Sequence, residues 1–152
     1  MKKFLVLCLA LTLVLATFAG CGGGASSKNL KDGTYTAIYS DARAEAAHGW
    51  KDKLTIDVTD GAVTIVEFDS YSMEDNRKKS EDPDYGMTVE DNGTTPAIYF
   101  PELIASWDAA EGDPKKIEVV AGATDTSNSM QELMTAALEL AAKGADTEVV
   151  LD

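Results

Sequence analysis

The sequence predicts an α+β fold with a mostly antiparallel sheet, on three observations. Leu54, Ile56 and Val58 alternate with polar residues up to Asp60-Gly61, and a second β-rich run follows at once, which predicts a β-hairpin over about 51–71. Two later stretches, about 95–108 and 127–143, space their apolar residues at the helical period. The order is strands first, then helix, short apolar run and helix, which favours an antiparallel sheet covered by helices over alternating βαβ units. No internal repeat is evident.

Taken in order, Thr34 to Ser40 is rich in β-branched and aromatic residues and reads as the first strand. Asp41 to Gly49, with Ala42, Ala44, Ala46 and Ala47, reads as a helical turn or a loop, and His48 as a loop residue. In the third strand, Val63 and Ile65 point one way and Val66 and Phe68 the other. Either a bulge shifts the phase near Ile65 or both faces are covered. Ser72 to Asn92 is polar and acidic and reads as a solvated loop, with Tyr85 and Met87 as the residues able to fold back. Thr94-Thr95-Pro96 starts a helix whose face is Ile98, Leu103, Ile104 and Trp107; Pro101 is expected to bend or restart it. Lys116 to Val120 reads as a fourth strand. The last helix begins near Ser127 and stops at Gly144, and Thr147 to Leu151 is a final edge strand or a frayed tail.

The start of the chain has a separate logic. Lys2-Lys3 precedes an apolar run of about 17 residues, at the lower limit for crossing a bilayer and typical of a secretory signal. Phe18-Ala19-Gly20-Cys21 resembles a bacterial lipobox, with Phe18 where leucine is usual. The resemblance implies lipidation of Cys21, a signal peptide over 1–20, a Gly/Ser-rich tether over 21–29 and one domain over 30–152. The implied location is the cell membrane, lipid-anchored on its extracytoplasmic face. The tether, as a coil of about ten residues, spans roughly 17 Å. Cys8 leaves with the signal, so no disulfide is expected in the domain. Loss of Lys2 and Lys3 leaves 11 of the 13 Lys and Arg against 26 Asp and Glu, a formal charge of −15. That balance excludes a nucleic-acid partner. No metal-ligand constellation, nucleophilic triad or nucleotide-binding Gly-rich loop is present.

The chemistry concentrates in Glu118 to Ser127. An apolar run ends in the small residues Ala121, Gly122 and Ala123; the hydroxyls of Thr124, Thr126 and Ser127 follow, and then a helical pattern. Small residues and hydroxyls at a helix N-terminus can hold an anion, because free N–H groups and the helix dipole converge there. The same residue types also serve as caps, and Asn128/Gln131 or Ser129/Glu132 would each make a capping box. Capping does not need Thr124, which lies ahead of those positions.

Several landmarks in their joint order resemble the FMN-binding domain family. They are Asp32-Gly33-Thr34-Tyr35, His48-Gly49-Trp50-Lys51-Asp52, Asp60-Gly61, Phe68-Asp69, Lys79-Ser80-Glu81-Asp82, Tyr85, Thr94-Thr95-Pro96, Tyr99, Pro101 and Gly122-Ala123-Thr124. The similarity spans nearly all of the chain after Cys21, and is nearer to the lipoproteins of extracellular electron transfer than to the respiratory-complex subunits. It implies FMN joined by a phosphoester to Thr124 by a flavin transferase that takes FMN from FAD. Glu118 and Ala121 depart from the transferase's usual target, which has Asp and Ser or Thr at those places.

A covalent bond has a physical purpose outside the cell. A flavin held with Kd near 1 μM and an on-rate of about 10⁶ M⁻¹s⁻¹ leaves at roughly 1 s⁻¹. On this reading Gly122 and Ala123 give the backbone room, Thr126 and Ser127 donate to phosphate, and Trp50, Tyr85 and Met130 flank the ring. The expected function is electron carriage between a donor and an acceptor that the sequence does not identify, rather than conversion of a substrate. The alternative is a flavin-free surface lipoprotein of the same fold that binds a ligand or partner, as Glu118, Ala121 and Asp125 would suggest.

Overall fold

In the computed structural model, which describes residues 29–152, the chain enters the sheet at β1 (Gly33–Tyr39). The short helix α1 (Asp41–Ala46) follows, capped by the Ser40 hydroxyl, which accepts from the Arg43 N–H. Strands β2 (Trp50–Thr59) and β3 (Ala62–Ser72) form the expected hairpin. Asp60 and Gly61 both have positive φ, 52° and 75°, as a two-residue turn matched to strand twist requires. The signal segment, Cys21 and nearly all of the tether lie outside the described residues.

The phase problem in β3 is solved by a bulge. The register shifts between Thr55 and Ile56, and Val66 is left without a partner and 61% exposed. Val63, Ile65 and Phe68 thereby pair with Val58, Ile56 and Leu54, all on the inner face.

Helix α2 (Val89–Asn92) is a single turn ahead of α3 (Pro96–Ala109), and α4 runs over Thr124–Lys143. Strand β4 (Glu148–Leu151) closes the sheet in the order β3-β2-β1-β4. It pairs parallel to β1, whereas the other two pairings are antiparallel. The fold is thus α+β with a mostly antiparallel sheet. Its inner face, with Tyr35, Ala37, Leu54, Ile56, Val58 and Phe68, packs against Phe100, Leu103 and Trp107 of α3 and Met130, Leu133, Met134 and Ala137 of α4. Each of the Leu, Ile, Val, Phe and Met side chains contributes about 1.5–3 kcal/mol by leaving water. No helix among the described residues is long and apolar enough to cross a membrane.

Three expectations are corrected, and of the two outcomes foreseen at Pro101, a bend or a restart, the restart does not occur. Lys116–Val120 is not a strand: Lys116 ends a short 3-10 turn and Glu118–Val120 is extended without a partner strand. Its polar groups are taken by α4 instead. Gln131 Nε2 donates to the Ile117 carbonyl at 2.8 Å, and the Val120 N–H donates to Ser127 Oγ at 3.1 Å. Helix α4 starts at Thr124 rather than Ser127, so neither proposed capping box forms; the N-cap is Ala123. Helix α3 passes through Pro101 without restarting. Pro101 is exposed, as is Ala97, whose carbonyl loses the i→i−4 bond and can turn to water. Ile98, expected on the buried face, is 39% exposed, and Tyr99 and Phe100 take its place.

Candidate functional site

A cleft of about 790 Å³ opens at the end of the sheet where β1 stops and β2 begins. Its size lies within the range of about 300–1,000 Å³ usual for small-molecule sites. One wall is the start of α4 with Gly122, Ala123, Thr124, Asp125 and Thr126. Lys79, Tyr85 and Met87 from the loop after β3 and Tyr99 of α3 also line the cleft. Tyr39, Arg43 and Glu132 line a further side, and His48, exposed in the turn after α1 with φ of 60°, sits at the rim.

The N-terminus of α4 is chemically open. An α-helix leaves its first N–H groups without intrahelical acceptors, and Ala123 has no side-chain oxygen to offer them. Ser127 N–H, donating to the Ala123 carbonyl, closes the first turn. Thr124 is the first helical residue, and its side chain is exposed beside the cleft. Thr124, its hydroxyl and a helix dipole of twenty residues therefore meet at one place that suits phosphate.

The sequence-derived site residues divide. Thr124, Gly122, Ala123, Thr126 and Tyr85 all line the cleft. Ser127 does not: it is fully buried, donates to the Ala123 carbonyl at 2.8 Å and accepts from Val120 N–H. Met130 is fully buried in the core, at the same helical stripe as Leu133, Met134 and Ala137. Trp50 lies behind the wall, edge-on to Tyr85 with ring centroids 5.7 Å apart. Gly122 also has a structural role. Its φ is +82°, and a Cβ there would meet the Asn92 carbonyl oxygen at 2.4 Å and Thr94 at 3.1 Å. The missing side chain lets the backbone pack on the loop before α3, a role that the sequence did not show.

Charges around the cleft are mostly satisfied internally. Arg43 grips Glu132 with both nitrogens, at 3.0 and 2.6 Å, and stacks on the Tyr39 ring at 3.6 Å. The Arg43 guanidinium holds the Glu132 carboxyl below its ordinary range, and Glu132 in turn raises Arg43. Tyr39 donates to Glu132 at 2.9 Å, and burial, more than that partner, pushes its hydroxyl up. Tyr99 is likewise raised by burial, so both phenols stay protonated donors. Asp52 accepts from the Ser70 hydroxyl.

Lys79 stands among the landmarks of the family resemblance, but sequence reasoning gave it no role in the site. It belongs to a short 3-10 turn, Lys79–Glu81, pinned from below by Asp69. Asp69 is 4% exposed and accepts from the N–H of Ser70 (2.8 Å), the N–H of Ser80 (3.2 Å) and the Ser80 hydroxyl. Burial raises the Asp69 carboxyl, although those hydrogen bonds favour its charged form. The turn presents Lys79 between two rings, 5.2 Å from Trp50 and 5.0 Å from Tyr85.

The chain is similar to known proteins over most of its length. Residues 49–139 match the model described as the FMN-binding domain, a span that runs from β2 through nearly all of α4. A 15 kDa lipoprotein of Treponema pallidum (strain Nichols) is 33% identical over 145 residues, 95% of this chain and 93% of its own length. A crystal structure of a Clostridium perfringens protein superposes with a TM-score of 0.68 at 34% identity, covering 81% of this chain and 99% of that one.

Proposed function

The chain belongs to the FMN-binding domain family, with FMN as its cofactor, and from that premise we propose that it is a lipid-anchored electron carrier with FMN joined to Thr124. The observation that supports this best is the open N-terminus of α4, with the Thr124 side chain exposed against a cleft large enough for a three-ring heterocycle. The residues fit the group. Thr124 and Thr126 with the free N–H groups hold the phosphate, and Tyr85, Tyr99 and Met87 supply flat or polarizable surface to the ring. Bound FMN supplies one- and two-electron transfer; the chain positions it and leaves one side open to a partner.

Attachment by a flavin transferase, as the family resemblance implies, balances simply. The Thr124 Oγ–P bond forms while the pyrophosphate bond of FAD breaks, AMP leaves, and the hydroxyl proton passes to solvent. Ala121 and Glu118 are both exposed, so the residues that depart from the usual target are within reach of that enzyme. The lipoprotein relative supports a lipid anchor; its place at Cys21, on the extracytoplasmic face, follows from the lipobox resemblance.

Co-expression with a flavin transferase is expected to add the mass of one FMN moiety to the protein, and Thr124→Ala is expected to abolish the gain. A colourless wild-type protein of unchanged mass, with the transferase active on another target, would overturn the reading in favour of a flavin-free lipoprotein.

A further inference from the structure

We propose that Lys79 biases FMN bound in this cleft towards its reduced state by holding an unpaired positive charge against the flavin ring. The inference rests on the FMN reading above and adds a residue that sets its redox preference. Lys79 is 9% exposed, and none of the ion pairs among the described residues includes it. A lysine this buried is normally matched by a carboxylate. Its neighbour shows the contrast: Lys78 pairs with Glu67 at 2.8 Å. What surrounds Lys79 instead is the faces of Trp50 and Tyr85, which attract a cation but do not neutralise it.

The other charged groups of the cleft leave this role to Lys79. Arg43 is committed to Glu132, which leaves Lys79 as the lysine or arginine in the cleft without an ion pair; Asp52 accepts from the neutral Ser70 hydroxyl and keeps its negative charge. Asp125 is exposed, where water screens it. Lys79 lines the cleft 5.0 Å from the Tyr85 ring, a surface assigned to the flavin, whereas the phosphate is assigned to α4. A low-potential donor delivering two electrons, with one proton taken up at N5, leaves one negative charge on the N1 side of a ring that was neutral before. A fixed cation at the ring stabilises that state over the oxidised one, and low exposure strengthens the effect. Asp69 acts through the turn as a positioning residue, because its bonds to Ser80 hold Lys79 in place.

The test uses the full-length, FMN-loaded protein, titrated with dithionite against a reference dye. Lys79→Met, which keeps an apolar stem between the rings, is expected to lower the midpoint potential by about 30 mV or more, equal to a tenfold loss of preference for the reduced state. Lys79→Arg keeps the charge and is expected to stay close to wild type. An unchanged midpoint in Lys79→Met, with its melting profile intact, overturns the proposal. So does a Lys79→Met protein that folds but takes no FMN while Lys79→Arg does, since Lys79 would then anchor the cofactor in both states alike. If the methionine variant does not fold, Lys79→Gln replaces it under the same criteria. A wild-type protein that never takes up FMN is a different failure and refutes the functional reading itself.

Discussion

Three hydroxyls stand within four positions in Thr124-Asp125-Thr126-Ser127, and only their place on the first turn of α4 tells them apart. Thr124 is exposed, so Thr124→Ala should remove flavin attachment while changing stability by no more than about 0.5 kcal/mol. Ser127 bridges Val120 N–H and the Ala123 carbonyl from a fully buried position. Ser127→Ala should therefore cost about 1–3 kcal/mol, read by urea denaturation, because it strands a backbone donor. The sequence did contain a signal for this. Ser127, Met130, Met134, Ala137 and Ala141 recur at helical spacing, and that stripe is the core face. Taking Ser127 as the helix start hid it. Lys79 was visible only as one residue of a family landmark, with nothing local to say that it is buried. Within a polar, acidic run a lysine reads as solvated, and its burial depends on Trp50, Tyr85 and the Asp69–Ser80 contact, which only the folded chain brings together.

At the level of elements, the hairpin and the two long helices were legible because period and turn chemistry agree locally: alternation, Asp60-Gly61, Pro96 at the first turn, Gly144 at the end. The extended arm Glu118–Val120 was not. An apolar run of this length suits a strand, but the free edge of β1 is taken by Glu148–Leu151, and α4 satisfies the arm with Gln131 and Ser127. Which of two short apolar runs joins a sheet is a competition that local pattern does not decide. The arm makes Gly122 a hinge of the whole corner. Gly122→Ala combines a left-handed backbone with a collision against Asn92, and should destabilise the protein by about 2 kcal/mol or more, measured by chemical denaturation. FMN loading should fall with it, since Thr124 lies two residues on.

Across the molecule, the outer side of the hairpin is held by one carboxylate between two cations. Glu67 lies 2.8 Å from both Lys53 and Lys78. Burial alone would raise its pKa, but hydrogen bonds from Lys53, Lys78 and Tyr71 outweigh it and bring the group down to about 2. A depressed folded-state pKa gives stability that is present above the ordinary value of 4.5 and is lost as pH falls towards about 2. Melting temperature measured between those limits should drop more steeply for wild type than for Glu67→Gln. The difference at neutral pH should be on the order of 1 kcal/mol, because the side chain is 25% exposed and water screens part of the interaction. Anchoring is also a property of the whole chain. Cys21→Ser should move the protein from the membrane fraction to the soluble one, checked by cell fractionation.

The direction of β1 has one more consequence. Its first residue, Gly33, comes soon after the segment expected to be a tether, and its last, Tyr39, lines the cleft, so the strand separates its own entry from the cleft by its length. Seven residues at about 3.4 Å each make that separation roughly 20 Å. On the expected anchor, the mouth of the cleft would lie at the end of the strand away from the bilayer, on a coil that lets the domain turn. Diffusing or particulate acceptors would meet it directly, whereas an integral membrane donor could touch it only when the domain turns over.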